Sequence, residues 1–131
     1  MLDTRRKALA YLRKKGFRDV SEKLVSASKL FEPEESWTGK KTWWFDLPIE
    51  RIKRLPKEHY YLLGEWGEDR FVVLKVPNKF LLDNMNRFDT NYNQRIRLDL
   101  AAHDENWLVD ERVKNGIDFS KFELKDPPGC K

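Results

Sequence analysis

The chain holds one cysteine, two histidines and six glycines spread along its length, and each scarcity removes a class of function. A single cysteine, Cys130, can close no internal disulfide and build no thiolate metal cluster. It stands beside Pro127, Pro128 and Gly129, without the structured basic setting that lowers a thiol's pKa, so no nucleophile is expected there. His59 and His103 lack a second histidine or cysteine at ligand spacing, which argues against a zinc site. The glycines make no phosphate-cradling loop, and none of Ser21, Ser26, Ser28, Ser36 and Ser120 sits in a nucleophile elbow. No nucleotide cofactor and no acyl transfer are expected. Also missing is an apolar run of the roughly 20 residues that a membrane-spanning helix needs. The first residues lack the apolar core of a signal peptide. The expectation is a cytoplasmic protein with no membrane partner.

What is present is charge and aromatic mass. The 131 residues are 40% hydrophobic, 37% charged and 13% aromatic, the composition of one folded domain rather than a disordered chain. We read it as a basic N-terminal helix within residues 1–20, a core over 21–124 and a flexible tail over 125–131. Net charge is +4, and the cations are bunched while the acids are spread. Arg5, Arg6, Lys7, Arg13, Lys14 and Lys15 fall in the first helix; Arg51, Lys53, Arg54 and Lys57 follow the first strand. Of these, Arg5, Arg6, Arg13, Lys14, Lys15, Arg51, Lys53 and Arg54 are the candidate phosphate contacts. Two solvated helix faces are the plainer account, since cations in a last turn also suit the helix dipole.

Residues 42–83 hold the densest aromatic and β-branched content. Runs at 42–47, 60–66 and 71–76 have strand composition, and the loop between the second and third predicts an antiparallel hairpin. Alternation in 71–76 leaves both faces largely apolar, so this strand should be central and covered on both sides. Helical spacing predicts helices over 4–15, 22–31, 49–55, 78–88 and 105–114. Gly16 should end the first, with Phe17 folding back on Leu12. Residues 89–94 read as a polar loop. Residues 95–100 alternate strictly, with Ile96, Leu98 and Leu100 inward and Arg95, Arg97 and Asp99 toward solvent. Trp43 and Trp44 must face opposite sides of their strand. Trp37, Trp44 and Trp66 are candidates for stacking on bases or anchoring an interface, unless they fill core.

From residue 22 the order is helix, three strands, helix, strand: an αβββαβ arrangement in an α+β (α/β) single domain, with a mostly antiparallel central sheet of about four strands flanked by helices. This order resembles the core of the restriction-endonuclease-like (PD-(D/E)XK) nucleases. The resemblance implies a magnesium site with an acid on the second strand and an acid-x-lysine on the third. Lys75 matches the lysine; Val73 stands where the acid belongs. Asp46, Glu65 and Glu22 are the candidate replacement ligands, and magnesium is a cofactor under this reading alone. The leading expectation is a binding or regulatory module that engages nucleic acid through its basic surface and aromatic residues. A protein-assembly or homodimer component, contacting through exposed aromatics and the apolar segment 117–124, is the alternative, and a metal-dependent nuclease is another.

Overall fold

The computed structural model describes residues 4–17, 20–36, 38–54, 59–67, 70–92 and 94–124. The first helix, α1 (Thr4–Lys14), buries Ala8, Leu9 and Leu12. Its end follows from sequence. Gly16 adopts φ 104°, a left-handed conformation that a Cβ would oppose. The Gly16 N–H donates to the Arg13 carbonyl at 3.2 Å and the Phe17 N–H to the Leu12 carbonyl at 2.9 Å. These are the two bonds of a Schellman motif, with Phe17 packed in the same cluster as Leu12.

Residues 22–31 are not the expected helix. A single 3₁₀ turn, Glu22–Leu24, whose Lys23 amide donates to Ser21 Oγ at 3.3 Å, gives way to β1 (Val25–Ser28) and β2 (Leu30–Phe31). There follow β3 (Thr42–Pro48), α2 (Ile49–Arg54), β4 (His59–Glu65), β5 (Phe71–Pro77), α3 (Asn78–Asp83), β6 (Asp89–Tyr92), β7 (Arg95–Ala101), β8 (Val109–Asp110), β9 (Ile117–Asp118) and β10 (Glu123–Leu124).

Two sheets form instead of one. The first has the order β1-β4-β5-β10; the second runs β2-β3-β7-β8-β9, with β6 also on β7. Every pairing is antiparallel except β1 with β4, which is parallel. The expected β4–β5 hairpin forms, with Leu62 opposite Leu74, but β3 joins the other sheet. Further departures lie downstream. The helix expected to Phe88 stops at Asp83, and β6 replaces part of the expected polar loop. The expected helix over 105–114 is a 3₁₀ turn at Asp104–Asn106 and then β8. Leu108, at φ 62°, breaks any helical path between them. The segment 117–124, expected as an apolar contact for a partner, is built into the fold: Phe119 is fully buried and β10 pairs with β5. The αβββαβ order is therefore not the order observed.

The inner faces of the two sheets share one core. Trp43, Phe45 and Leu47 of β3, with Ile96, Leu98 and Leu100 of β7, pack with Tyr60, Leu62, Leu74 and Val76 of the hairpin. On the other face of β5, Phe71 and Val73 pack beneath α1 with Leu63, so the strand is covered on both sides as its alternation requires. The sheets approach closely at Gly64, where a Cβ would sit 2.5 Å from the Trp43 ring. The Trp43 indole N–H donates to the Glu65 carbonyl at 3.0 Å. Among the described residues no helix is long and apolar enough to cross a membrane. Trp37, Leu55, Lys57, the centre of the hairpin loop at Glu68 and Asp69, and residues 125–131 with Cys130 lie outside the described residues.

Candidate functional site

The segment 25–31 passes from the first sheet to the second, and the site opens beside it. Among the described residues, β1 pairs only with β4, and β3 pairs with β2 only at Thr42 and Trp43. From Trp44 to Pro48, β3 therefore has β7 alone as a ladder neighbour. The two strand edges diverge from Ser28, whose hydroxyl accepts from the Trp44 amide at 2.9 Å and donates to the Lys29 carbonyl at 2.7 Å.

Between those edges lies a cleft of about 350 Å³. Four cations from four different elements line it: Arg5 from α1, Lys23 from the 3₁₀ turn, Arg51 from α2 and Arg95 from β7, with one carboxylate, Asp46. Arg95 Nε holds Asp46 Oδ1 at 2.6 Å. Arg5 is fastened from behind, donating to the Glu22 carbonyl and, at 3.4 Å, to the Val25 carbonyl. Arg51 is exposed. Tyr60 contributes to the lining with only 1% of its surface accessible, and its Oη has no hydrogen-bond partner among the described residues. Burial raises the Tyr60 pKa, with Arg51 and Arg95 pulling the other way. The phenol is thus a neutral donor held in a cationic pocket. A hollow of about 450 Å³ lined by Arg5, Arg6, Arg13 and Glu22 adjoins through Arg5.

Behind β3, the outer face of the second sheet carries a buried ionic cluster. Asp99 is 1% accessible, not turned to solvent as the alternation of β7 suggested, because Arg112 reaches it with Nη1 at 2.6 Å. Arg112 Nε and Arg97 Nη2 both meet Asp89 Oδ2, at 2.5 and 3.0 Å. Burial raises the Asp99 pKa against the pull of Arg112. Asp110, fully buried, accepts from the Asp99 and Arg112 amides through Oδ1 at 3.0 and 3.1 Å, while Oδ2 has no partner among the described residues. Burial pushes this carboxyl up to about 7.

The candidate phosphate contacts divide. Arg5 and Arg51 line the cleft, and Arg6 and Arg13 the adjoining hollow. Arg13 also pairs with Glu22 at 3.1 Å, Arg54 pairs with Glu50 at 2.8 Å, and Lys15 sits 5.6 Å above the Tyr11 ring. Lys14 and Lys53 are exposed on the outer sides of α1 and α2. Of the candidate aromatics, Trp44 is 38% accessible, the one exposed large hydrophobic among the described residues. Trp66 instead joins Trp43 and Trp107 in an edge-to-face trio with centroids 5.3 to 5.6 Å apart.

The candidate catalytic residues are dispersed. Lys75 lies opposite Tyr61 and shares the α1-facing side of β5 with Phe71 and Val73. Asp46 belongs to the other sheet and pairs with Arg95, Glu65 approaches Lys7 at 3.9 Å, and Glu22 meets Arg13. Among the described residues no ion pair joins Lys75 to any of the three, and no group of three or more potential metal ligands converges. Sequence reasoning passed over Lys23 and Arg95, and grouped Tyr60 with the aromatics of core or interface rather than with the cations. Arg95 was legible on the polar side of an alternating strand, but Lys23 lay inside a segment misread as helix. Nothing in the sequence says that Tyr60 meets the edge of β3. The chain matches no family model, no curated protein and no solved structure.

Proposed function

We propose that this protein is a nucleic-acid-binding module whose phosphate site is the cleft between β1 and β3. The observation that carries this reading is the convergence of Arg5, Lys23, Arg51 and Arg95 on one cleft whose lining includes Tyr60, a residue whose hydroxyl has no partner among the described residues. Cations from four separate elements gather there with a single carboxylate against them, so the arrangement favours an anion. A phosphodiester supplies both the charge and an acceptor for the phenol. The protein-assembly alternative loses two of its supports, since Trp66 and the segment 117–124 pack into the body of the fold. The magnesium-nuclease alternative needs carboxylates gathered at Lys75, and Asp46, Glu65 and Glu22 engage other cations in three separate places.

Fluorescence anisotropy with labelled oligonucleotides at low and moderate salt tests the reading. Binding should weaken steeply as salt rises, because displaced counterions drive phosphate binding. Arg51→Ala, at an exposed position, should weaken binding to every sequence alike and lower the salt slope by about one. No binding at low salt would end the proposal. Adding magnesium to the same samples, beside Lys75→Ala, reports on the nuclease alternative, and light scattering reports on self-association.

A further inference from the structure

Trp44 lines two hollows at once. Besides the cationic cleft it borders a second hollow of about 260 Å³, lined also by Phe31, Glu35, Ser36, Thr42 and the Asp99–Arg112 ion pair. That volume falls below the roughly 300–1,000 Å³ of sites that enclose a whole drug-sized ligand, and it suits one flat ring. The tryptophan between the two hollows is well fixed. Its amide is held by Ser28 Oγ and its strand position is paired with Asp99, yet its side chain is 38% accessible. An exposed indole on a rigid strand, phosphate-seeking cations to one side and an aromatic-lined hollow to the other, is the layout of a nucleotide with its backbone and base in separate places.

We infer that the site takes single-stranded nucleic acid in preference to duplex, with backbone phosphates in the Arg5–Arg51–Arg95 cleft and one unstacked base lying on Trp44 in the second hollow. The inference rests on the nucleic-acid reading above and adds the form of the ligand to it. A duplex keeps its bases stacked and paired, so seating one on Trp44 would first require extruding it. A single strand has no such barrier. The Asp99–Arg112 pair places a carboxylate and a guanidinium beside the hollow, whereas the indole itself accepts the face of any base, so modest sequence preference is expected.

The test compares three labelled ligands of equal length against the full chain: a single strand, its duplex, and a single strand carrying abasic sites throughout. The wild-type protein should bind the intact single strand about tenfold or more tightly than the other two. Trp44→Leu, which removes the ring but stays apolar, should erase that advantage; Trp44→Phe should retain most of it. Arg51→Ala should weaken all three. Equal wild-type affinity for single strand and duplex, or a preference that survives Trp44→Leu, overturns this inference and leaves the phosphate cleft standing. Failure of every ligand to bind at low salt overturns both.

Discussion

Tyr60 keeps its hydroxyl where no described residue satisfies it, and an unmet buried polar group costs about 1–3 kcal/mol. Two consequences of opposite sign follow for Tyr60→Phe. The variant should be at least as stable as the parent, by up to about 1 kcal/mol in urea denaturation, because it removes the unmet group. It should bind oligonucleotides about tenfold more weakly, because a hydrogen bond to a charged oxygen is lost. Parallel loss of stability and binding would show that the phenol serves the fold instead. Asp110 gives a second residue-scale prediction. The native state keeps on this carboxyl, at about 7, a proton that the unfolded chain releases near the ordinary value of 3.8. Between those values the native state binds more protons, so this group's contribution to stability falls as pH rises and levels off above about 7, by at most about 4 kcal/mol. Asp110→Asn removes the titration. Its stability should match the parent at about pH 3, below both values, and exceed it increasingly up to about pH 7, and a stability difference that does not change with pH would contradict the assignment.

At the scale of elements, side-chain alternation was the readable signal and chain path was not. The strands at 42–47, 71–76 and 95–100 were legible because two-residue periodicity with β-branched and aromatic residues has one physical meaning. Residues 22–31 were misread because Leu24, Val25, Ala27, Leu30 and Phe31 fit a helical stripe. The competing pattern was there in Val25-Ser26-Ala27-Ser28, apolar and polar in turn, and pairing with β4 decided between them. The Glu105 to Lys114 region failed for another reason: Leu108 enters the left-handed region at φ 62°, which no leucine advertises in sequence. Its amide donates to the Ala101 carbonyl at 2.8 Å and its own carbonyl accepts from Phe119 at 2.9 Å, so distant contacts hold it there. Of the site, Arg5 and Arg51 stood among the candidate cations while Lys23 and Arg95 did not, and the convergence of all four depends on the relation of β1 to β3, which is tertiary. Gly64 is another case where sequence stays silent. It gives Trp43 room to lie on β4, and Gly64→Ala would put a methyl 2.5 Å from the indole. That substitution should destabilise the protein by about 1–3 kcal/mol and shift tryptophan emission as Trp43 and its neighbours in the trio move. Unchanged stability would mean that the sheets separate more easily than their packing implies.

For the whole molecule, the segment 25–31 has a consequence in time as well as in shape. One continuous stretch is the edge of the first sheet and the start of the second, pairing with β4 at Val25 and with β3 at Leu30. Neither sheet can lose this strand without loosening the other, and its pairing with β4 spans far more sequence than any hairpin. Loops that long must close before their contacts reward them, so folding should be slow for a chain of this length. Unfolding should be all-or-none. Hydrogen exchange on the native protein checks it: amides in β1, β3 and β4 should share one opening free energy, and release of the first sheet ahead of the second would show two loosely joined parts. A protein built this way has a seam but no hinge. The cationic cleft lies along the seam, so an anion gripped there from α1, α2 and both sheets would draw the molecule shut rather than merely occupy it.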